Sequence, residues 1–178
     1  MPYEPPPEIA GMSLAELAAA VEARRLPPVE QWAPAESGDS QMAILADGSW
    51  THEGSPVTRP AMVRAFASLL VRDEVGHWLV TPMQKLSVAV EDAAFVAVDV
   101  TEKDGALAFR LNTDEIVIAG PDHPLAARGD AETPALYLAV RRGCEARLNR
   151  STYEQLAHLA DGNWTVASNG ARFSLVPA

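Results

Sequence analysis

The 178-residue chain has one cysteine, Cys144. A lone thiol can form neither an internal disulfide nor a cysteine-rich zinc site. Basic residues are also scarce: 14 Lys and Arg stand against 24 Asp and Glu, a formal net charge of −10. Phosphate backbones are held by clustered Lys and Arg, so this balance argues against a polynucleotide partner. No apolar run approaches the roughly 18 residues of a membrane helix, and no basic segment leads into a short apolar one. These absences predict a soluble, cytoplasmic protein with no membrane partner. The histidines are His52, His77, His123 and His158. None of them pairs at i, i+2 or i, i+4, so no metal site is expected. The chain has no G-x-S-x-G elbow, no G-x-x-x-x-G-K-[ST] loop and no G-x-G-x-x-G. Familiar acyl-transfer and nucleoside-triphosphate chemistry is therefore unsupported, and no catalytic residue or cofactor is assigned.

What is present is ordinary globular material: 48% apolar and 21% charged residues. A chain of this length can bury a core as one domain or as two small ones. Ser13 and Glu16 form a capping-box pattern before an alanine-rich helix expected at 14–25, with Leu14, Leu17, Ala18 and Val21 on one stripe. Pro27-Pro28 stops it, and an extended strap over 27–39 follows, anchored by Trp32.

The chain is organised around 47–100. Asp47-Gly48 and Gly54-Ser55 bracket a short run around Trp50. Met62, Val63, Phe66, Leu69 and Leu70 predict a helix over 60–71 with Phe66 in the core, and Pro60 suits its first turn. Period-two strands are expected at 77–81, 86–90 and 95–100, then at 106–112 and 115–119. A Gly- and Pro-rich loop fills 120–134. An internal repeat sets 49–90 against 136–176. In each copy a hairpin (turning at Gly54 or Gly143), an arginine (Arg59 or Arg150), a helix and a Gly–Trp pair (Gly76 and Trp78, or Gly162 and Trp164) follow in order. Ser151 and Glu154 would cap the second helix. A shorter echo, Leu45–Thr51 against Leu159–Thr165, is out of register with this repeat and reads equally well as reuse of an Asp-Gly turn.

These residues also carry a resemblance. Asp47-Gly48-Ser49-Trp50, His52-Glu53-Gly54-Ser55-Pro56, Arg59, Thr81-Pro82, Val90-Glu91-Asp92 and Phe95 are one part of it. Asp122-His123-Pro124-Leu125, Val140-Arg141-Arg142-Gly143, Glu145-Ala146-Arg147 and Arg150 are another, with Leu26-Pro27-Pro28-Val29 and Trp32-Ala33-Pro34 upstream. Over residues 26–176 the set resembles the bacterial domain-of-unknown-function family 1285. It departs at Ala94, where the family usually has proline, and at Gln84, where it has glutamate. The resemblance implies a duplicated α+β architecture with a second domain loosely like a pleckstrin-homology fold. It also implies a ligand site at the domain interface, a nucleotide-like ligand and a role in bacterial signal transduction.

The expected fold is therefore α+β: an N-terminal helical arm and strap (1–42) and two related small domains (43–102 and 103–178), each a bent antiparallel sheet with one helix. Arg141, Arg147 and Arg150 form a basic island in an acidic chain, and guanidinium forks suit phosphate or carboxylate. They either bind a small anion or pair internally with Glu145, or with Glu91 and Asp92. Arg59 is the repeat counterpart of Arg150, and His123 lies on the long loop. Trp50, with His52 beside it, is core or a stacking surface for a base. The expected function is non-enzymatic binding of a small anionic, nucleotide-like ligand. The alternatives are a protein-interaction adaptor with a signalling partner and an enzyme of unrecognised chemistry.

Overall fold

The computed structural model describes residues 13–16 and 26–178. The expected helix at 14–25 lies mostly outside these residues. Within them, Leu14–Glu16 are helical, and the Glu16 amide donates to Ser13 Oγ at 3.2 Å. The chain divides into two compact units. The first holds residues 25–94 with 141–144, and the second holds 95–140 and 145–178 with the described N-terminal residues. The division falls at Ala94/Phe95 rather than at 102/103, because the strand beginning at Phe95 pairs throughout with the second sheet.

The first unit is a six-stranded sheet. Its strands are β1 (Glu36–Ile44), β2 (Trp50–His52), β3 (Ser55–Pro56), β4 (Leu70–Arg72), β5 (His77–Val80) and β6 (Gln84–Val90), in the order β3-β2-β1-β6-β5-β4. All neighbours are antiparallel except the central pair, where β1 and β6 run parallel with Ile44 opposite Val90. Helix α1 (Pro60–Ala67) lies between β3 and β4 with Pro in its first turn. It ends four residues before the expected limit, and Leu70 belongs to β4 instead. Ile44, Trp50, Ala67, Leu70, Leu79 and Val88 are buried. Phe66 is only half-buried, stacked on Trp50 with ring centroids 6.2 Å apart, and Met62 is exposed. The strap is a strand from Glu36 onward, preceded by a 3-10 turn at Val29–Gln31.

The second unit repeats this topology. Strands β7 (Phe95–Lys103), β8 (Ala106–Leu111), β9 (Ile116–Ile118), β10 (Leu125–Gly129), β11 (Pro134–Arg141) and β12 (Cys144–Leu148) stand in the order β10-β11-β12-β7-β8-β9. Again the central pair, β7 and β12, is parallel. Helix α2 (Arg150–Leu159) follows β12, and the hairpin β13 (Thr165–Ser168) and β14 (Ala171–Ser174) forms a separate two-stranded sheet. Buried Phe95, Phe109, Leu111, Leu136, Leu138 and Leu156 form the core. β10 occupies part of the expected 120–134 loop.

The two units are thus related small α+β domains. Each sheet joins two three-stranded meanders through one parallel pair. Turn chemistry repeats with it. Asp73, between β4 and β5, accepts from the amides of Val75 and Gly76, while Asp130, between β10 and β11, accepts from those of Glu132 and Thr133.

The topology corrects the expected register. Residues 36–90 match 95–148, whereas the sequence pairing set 49–90 on 136–176. Both helices form, but α1 is inserted between the meanders and α2 follows the second one. Arg59 and Arg150 are therefore not equivalent. Neither are Trp78, in β5, and Trp164, an exposed turn residue at φ 56°. The echo is a reused turn: Asp47 and Asp161 each accept from the amide two residues on. The α2 cap is Asn149, whose side chain accepts from the Thr152 amide at 2.9 Å. The expected cap, Ser151, already lies within the helix, and Glu154 pairs with Arg150.

No helix among the described residues is long and apolar enough to cross a membrane. None of their His, Cys, Asp and Glu groups forms a cluster of three or more suited to a metal ion. Cys144 is buried.

Candidate functional site

The first unit contains a cavity of about 460 Å³ between the 3-10 segment and the β4–β6 side of the sheet. The segment forms because Pro27 and Pro28 limit its backbone. Amides Gln31 and Trp32 then donate to the carbonyls of Pro28 and Val29. Val29 is buried, which turns Glu30 and Trp32 toward the cavity edge. Opposite them, Val71 and Arg72 come from β4, Val80 from β5 and Lys85 from β6. Antiparallel pairing places Arg72 beside His77 and Val80 beside Lys85. The third cationic wall is Arg142, in the two-residue turn after β11.

Glu30, Lys85 and Arg142 are each held by a specific side-chain contact. Arg142 has a side chain only 7% exposed. Its Nε donates to Glu30 Oε1 at 2.6 Å, Nη1 to the Ser68 carbonyl at 2.7 Å and Nη2 to the Pro27 carbonyl at 2.7 Å. Arg141 Nη2 donates to the Ala67 carbonyl at 3.1 Å. Together these arginines satisfy carbonyls left over at the α1 C-terminus, where a positive charge also suits the helix dipole. The Arg142 hydrogen bond, ahead of its charge, holds the Glu30 carboxyl below the usual range.

Lys85 is fixed by Asp73 at 3.0 Å and lies 4.4 Å above the Trp78 ring. Asp73 also accepts from Trp78 Nε1 at 2.9 Å. The indole N–H, then the Gly76 amide and the Lys85 ammonium, hold its carboxyl far below the ordinary value. The Arg142 turn sits close against β4: the Arg72 amide donates to the Arg142 carbonyl at 2.9 Å. A Cβ on Gly143 would stand 2.5 Å from the Arg72 carbonyl oxygen.

None of the ten residues nominated from sequence lines this cavity. Trp50 is 2% exposed and packs in the core, which removes it as a stacking surface for a ligand. His52 and Arg59 are exposed, at the end of β2 and at the α1 N-cap. Glu91 accepts from the Ala46 amide at 2.8 Å, and Asp92 is half-buried beside it in the chain. Arg141 is a helix cap.

The remaining four belong to the second unit. His123 Nδ1 lies 3.0 Å from the Ala139 carbonyl, which fixes the proton on that nitrogen, at a separate cavity of about 240 Å³ with Asp122 and Asn169. Glu145 pairs with Arg128 through both oxygens, at 3.0 and 2.6 Å. Arg128 and Arg147 lie 4.3 and 5.5 Å from the Tyr137 ring centre. Arg150 has a 93% exposed side chain and pairs with Glu154 in the next turn. The structure thus brings Glu145 and Arg147 together around Tyr137, while Arg141 and Arg150 serve separate helix ends. The basic island is several local struts.

The geometry can be set against known proteins. The model for the N-terminal domain of DUF1285, a domain of unknown function, matches residues 27–93, and that for the C-terminal domain matches residues 94–175. A solved DUF1285 family protein from Silicibacter pomeroyi DSS-3 is 37% identical, with 91% of this chain and 95% of that chain covered and a TM-score of 0.78. The chain belongs to the DUF1285 family. A second DUF1285 structure, from Shewanella baltica OS155, shares the fold at 24% identity and a TM-score of 0.56, over 67% of this chain and 91% of that one. No curated protein matches the chain. The boundary between the DUF1285 domain models, 93/94, lies one residue from the division of the compact units.

Sequence reasoning singled out Trp32 as an anchor and missed Arg72 and Lys85. Those two are thirteen positions apart on strands that only the sheet order brings to one side.

Proposed function

We propose that the protein binds a small anionic, nucleotide-like ligand without transforming it, in the cavity of the first unit, as a signalling component. The carrying observation is the composition of the walls. Arg72, Lys85 and Arg142 supply cations for a phosphate or carboxylate. Trp32, with Val29, Pro34, Val71 and Val80, supplies an apolar side for a planar group. The volume of about 460 Å³ falls in the usual small-molecule range of roughly 300–1,000 Å³. The one carboxylate on the walls, Glu30, is held ionised by Arg142, and no lining side chain pairs a nucleophile with a base. This set supports binding over chemistry.

Isothermal titration with nucleoside monophosphates and organic phosphates tests the reading. Binding by the parent should weaken roughly 10- to 150-fold in Arg72→Ala, the equivalent of about 1.5–3 kcal/mol for a charge-assisted contact. The reading fails if the parent binds none of these compounds at millimolar concentration.

A further inference from the structure

Two of the three hydrogen bonds from the Arg142 guanidinium to Glu30, Ser68 and Pro27 go to backbone. Nη1 and Nη2 hold the carbonyls of Ser68 and Pro27, and both bonds fix the fold of the first unit. Its Nε is different. It faces a side-chain carboxylate, Glu30, at 2.6 Å, and that side chain is 64% exposed. Glu30 also lines the cavity. Arg142 is therefore matched by an anion belonging to the protein, as Lys85 is by Asp73, but only the Arg142 partner itself lines the cavity. That anion is carried on a three-residue 3-10 segment next to Trp32. Its negative charge would repel an incoming phosphate at the distance where both contact Arg142. Because Glu30 is solvent-exposed, its carboxylate can turn into water while an incoming anion takes its place beside the buried Arg142 Nε.

We propose that Glu30 is a built-in competitor for the ligand: its carboxylate occupies the anion subsite on Arg142, and a phosphate or carboxylate group must displace it to bind. The inference rests on the cavity being the binding site. It adds that affinity is set low by the chain itself, and that binding is coupled to release of the Glu30 side chain from Arg142 Nε. The Glu30 carboxyl is held below its usual range by this contact, so the competitor stays charged at neutral pH.

The test compares the parent with Glu30→Gln, using inorganic phosphate and adenosine monophosphate as probes in isothermal titration. Gln removes the charge while leaving an oxygen to accept from Nε. Glu30→Ala serves as a second variant, and urea unfolding of each confirms the fold. Both probes should bind both variants at least about tenfold more tightly than they bind the parent, a difference of about 1.4 kcal/mol. The gain should shrink as added salt screens the charges. Equal or weaker binding by Glu30→Gln and Glu30→Ala, with the parent itself binding, overturns the competitor and leaves the cavity reading intact. Binding by neither parent nor variants overturns both.

Discussion

Arg142 Nε donates to Glu30 Oε1 at 2.6 Å across a sharp contrast in exposure: the arginine side chain is 7% exposed and the glutamate 64%. The two partners should therefore differ in what they contribute to stability. Removing Arg142 strands the Ser68 and Pro27 carbonyls and empties the space of its buried stem. Arg142→Ala should cost about 3 kcal/mol, the upper end for charge-assisted hydrogen bonds. Glu30→Ala should cost less, about 1 kcal/mol, because only the arginine end of the contact is buried and its bonds to Ser68 and Pro27 remain. Urea denaturation midpoints at a common slope check both. Equal costs would contradict the strut assignment.

Gly143 offers a second, independent prediction. Its φ of 79° already disfavours an L side chain, and a Cβ would approach the Arg72 carbonyl oxygen to 2.5 Å. Backbone cannot yield there as a flexible side-chain end could. Gly143→Ala should destabilise by about 2 kcal/mol or more, strain and clash together. Gly54, at φ 84° with nothing within 4 Å of its Cβ position, should lose less on the same change. Parallel thermal unfolding of the two variants gives the ranking.

Asp73 makes a pH-dependent prediction. Its carboxyl is depressed in the folded protein by the Trp78 indole, the Gly76 amide and Lys85. In the unfolded chain it titrates near the ordinary value of about 3.9. A group depressed on folding contributes stability above its unfolded pKa, and loses that contribution as pH falls toward the folded value. Parent and Asp73→Asn should accordingly differ most in stability at neutral pH. The gap should narrow progressively below about pH 4. Urea midpoints from pH 7 to pH 2 measure it. A gap that stays constant with pH would contradict the assignment.

The α2 cap separates the observed cap, Asn149, from the one expected from sequence, Ser151. Asn149→Ala removes the acceptor of the Thr152 amide and should cost about 1 kcal/mol. Ser151→Ala, at the position the S-x-x-E pattern nominates, should change stability by less than about 0.5 kcal/mol. The reverse ranking in chemical denaturation would restore the capping box.

Most of the fold was legible where side-chain alternation and burial coincide. The strands around Trp78, Val88, Phe95 and Phe109 fall within a few residues of their expected limits. The first part of β1, residues 36–39, falls in the expected strap because Glu36, Ser37, Gly38 and Asp39 are polar and exposed, and its strand character comes from parallel pairing with β6. β10 was hidden by Ala126, Ala127 and Arg128, which carry little strand propensity and are held by β11. The duplication was legible, but its register was not. Matched helix spacing drew the alignment toward α1 and α2, while the conserved geometry lies in the strand order. Site legibility was lower still. Arg141, Arg147 and Arg150 cluster in sequence and serve different local structures. Arg72, Lys85 and Arg142 are scattered in sequence and line one cavity.

The central claim is where a small anion binds, and the most direct measurement is amide and indole chemical-shift mapping by NMR during titration with adenosine monophosphate. The account predicts saturable shifts centred on the Trp32 indole, Glu30, Val71, Arg72 and Lys85. The amides around Tyr137, Arg147 and Arg150 should stay in place. Shifts centred on His123 or on Arg147 and Arg150, or none up to millimolar nucleotide, would contradict it.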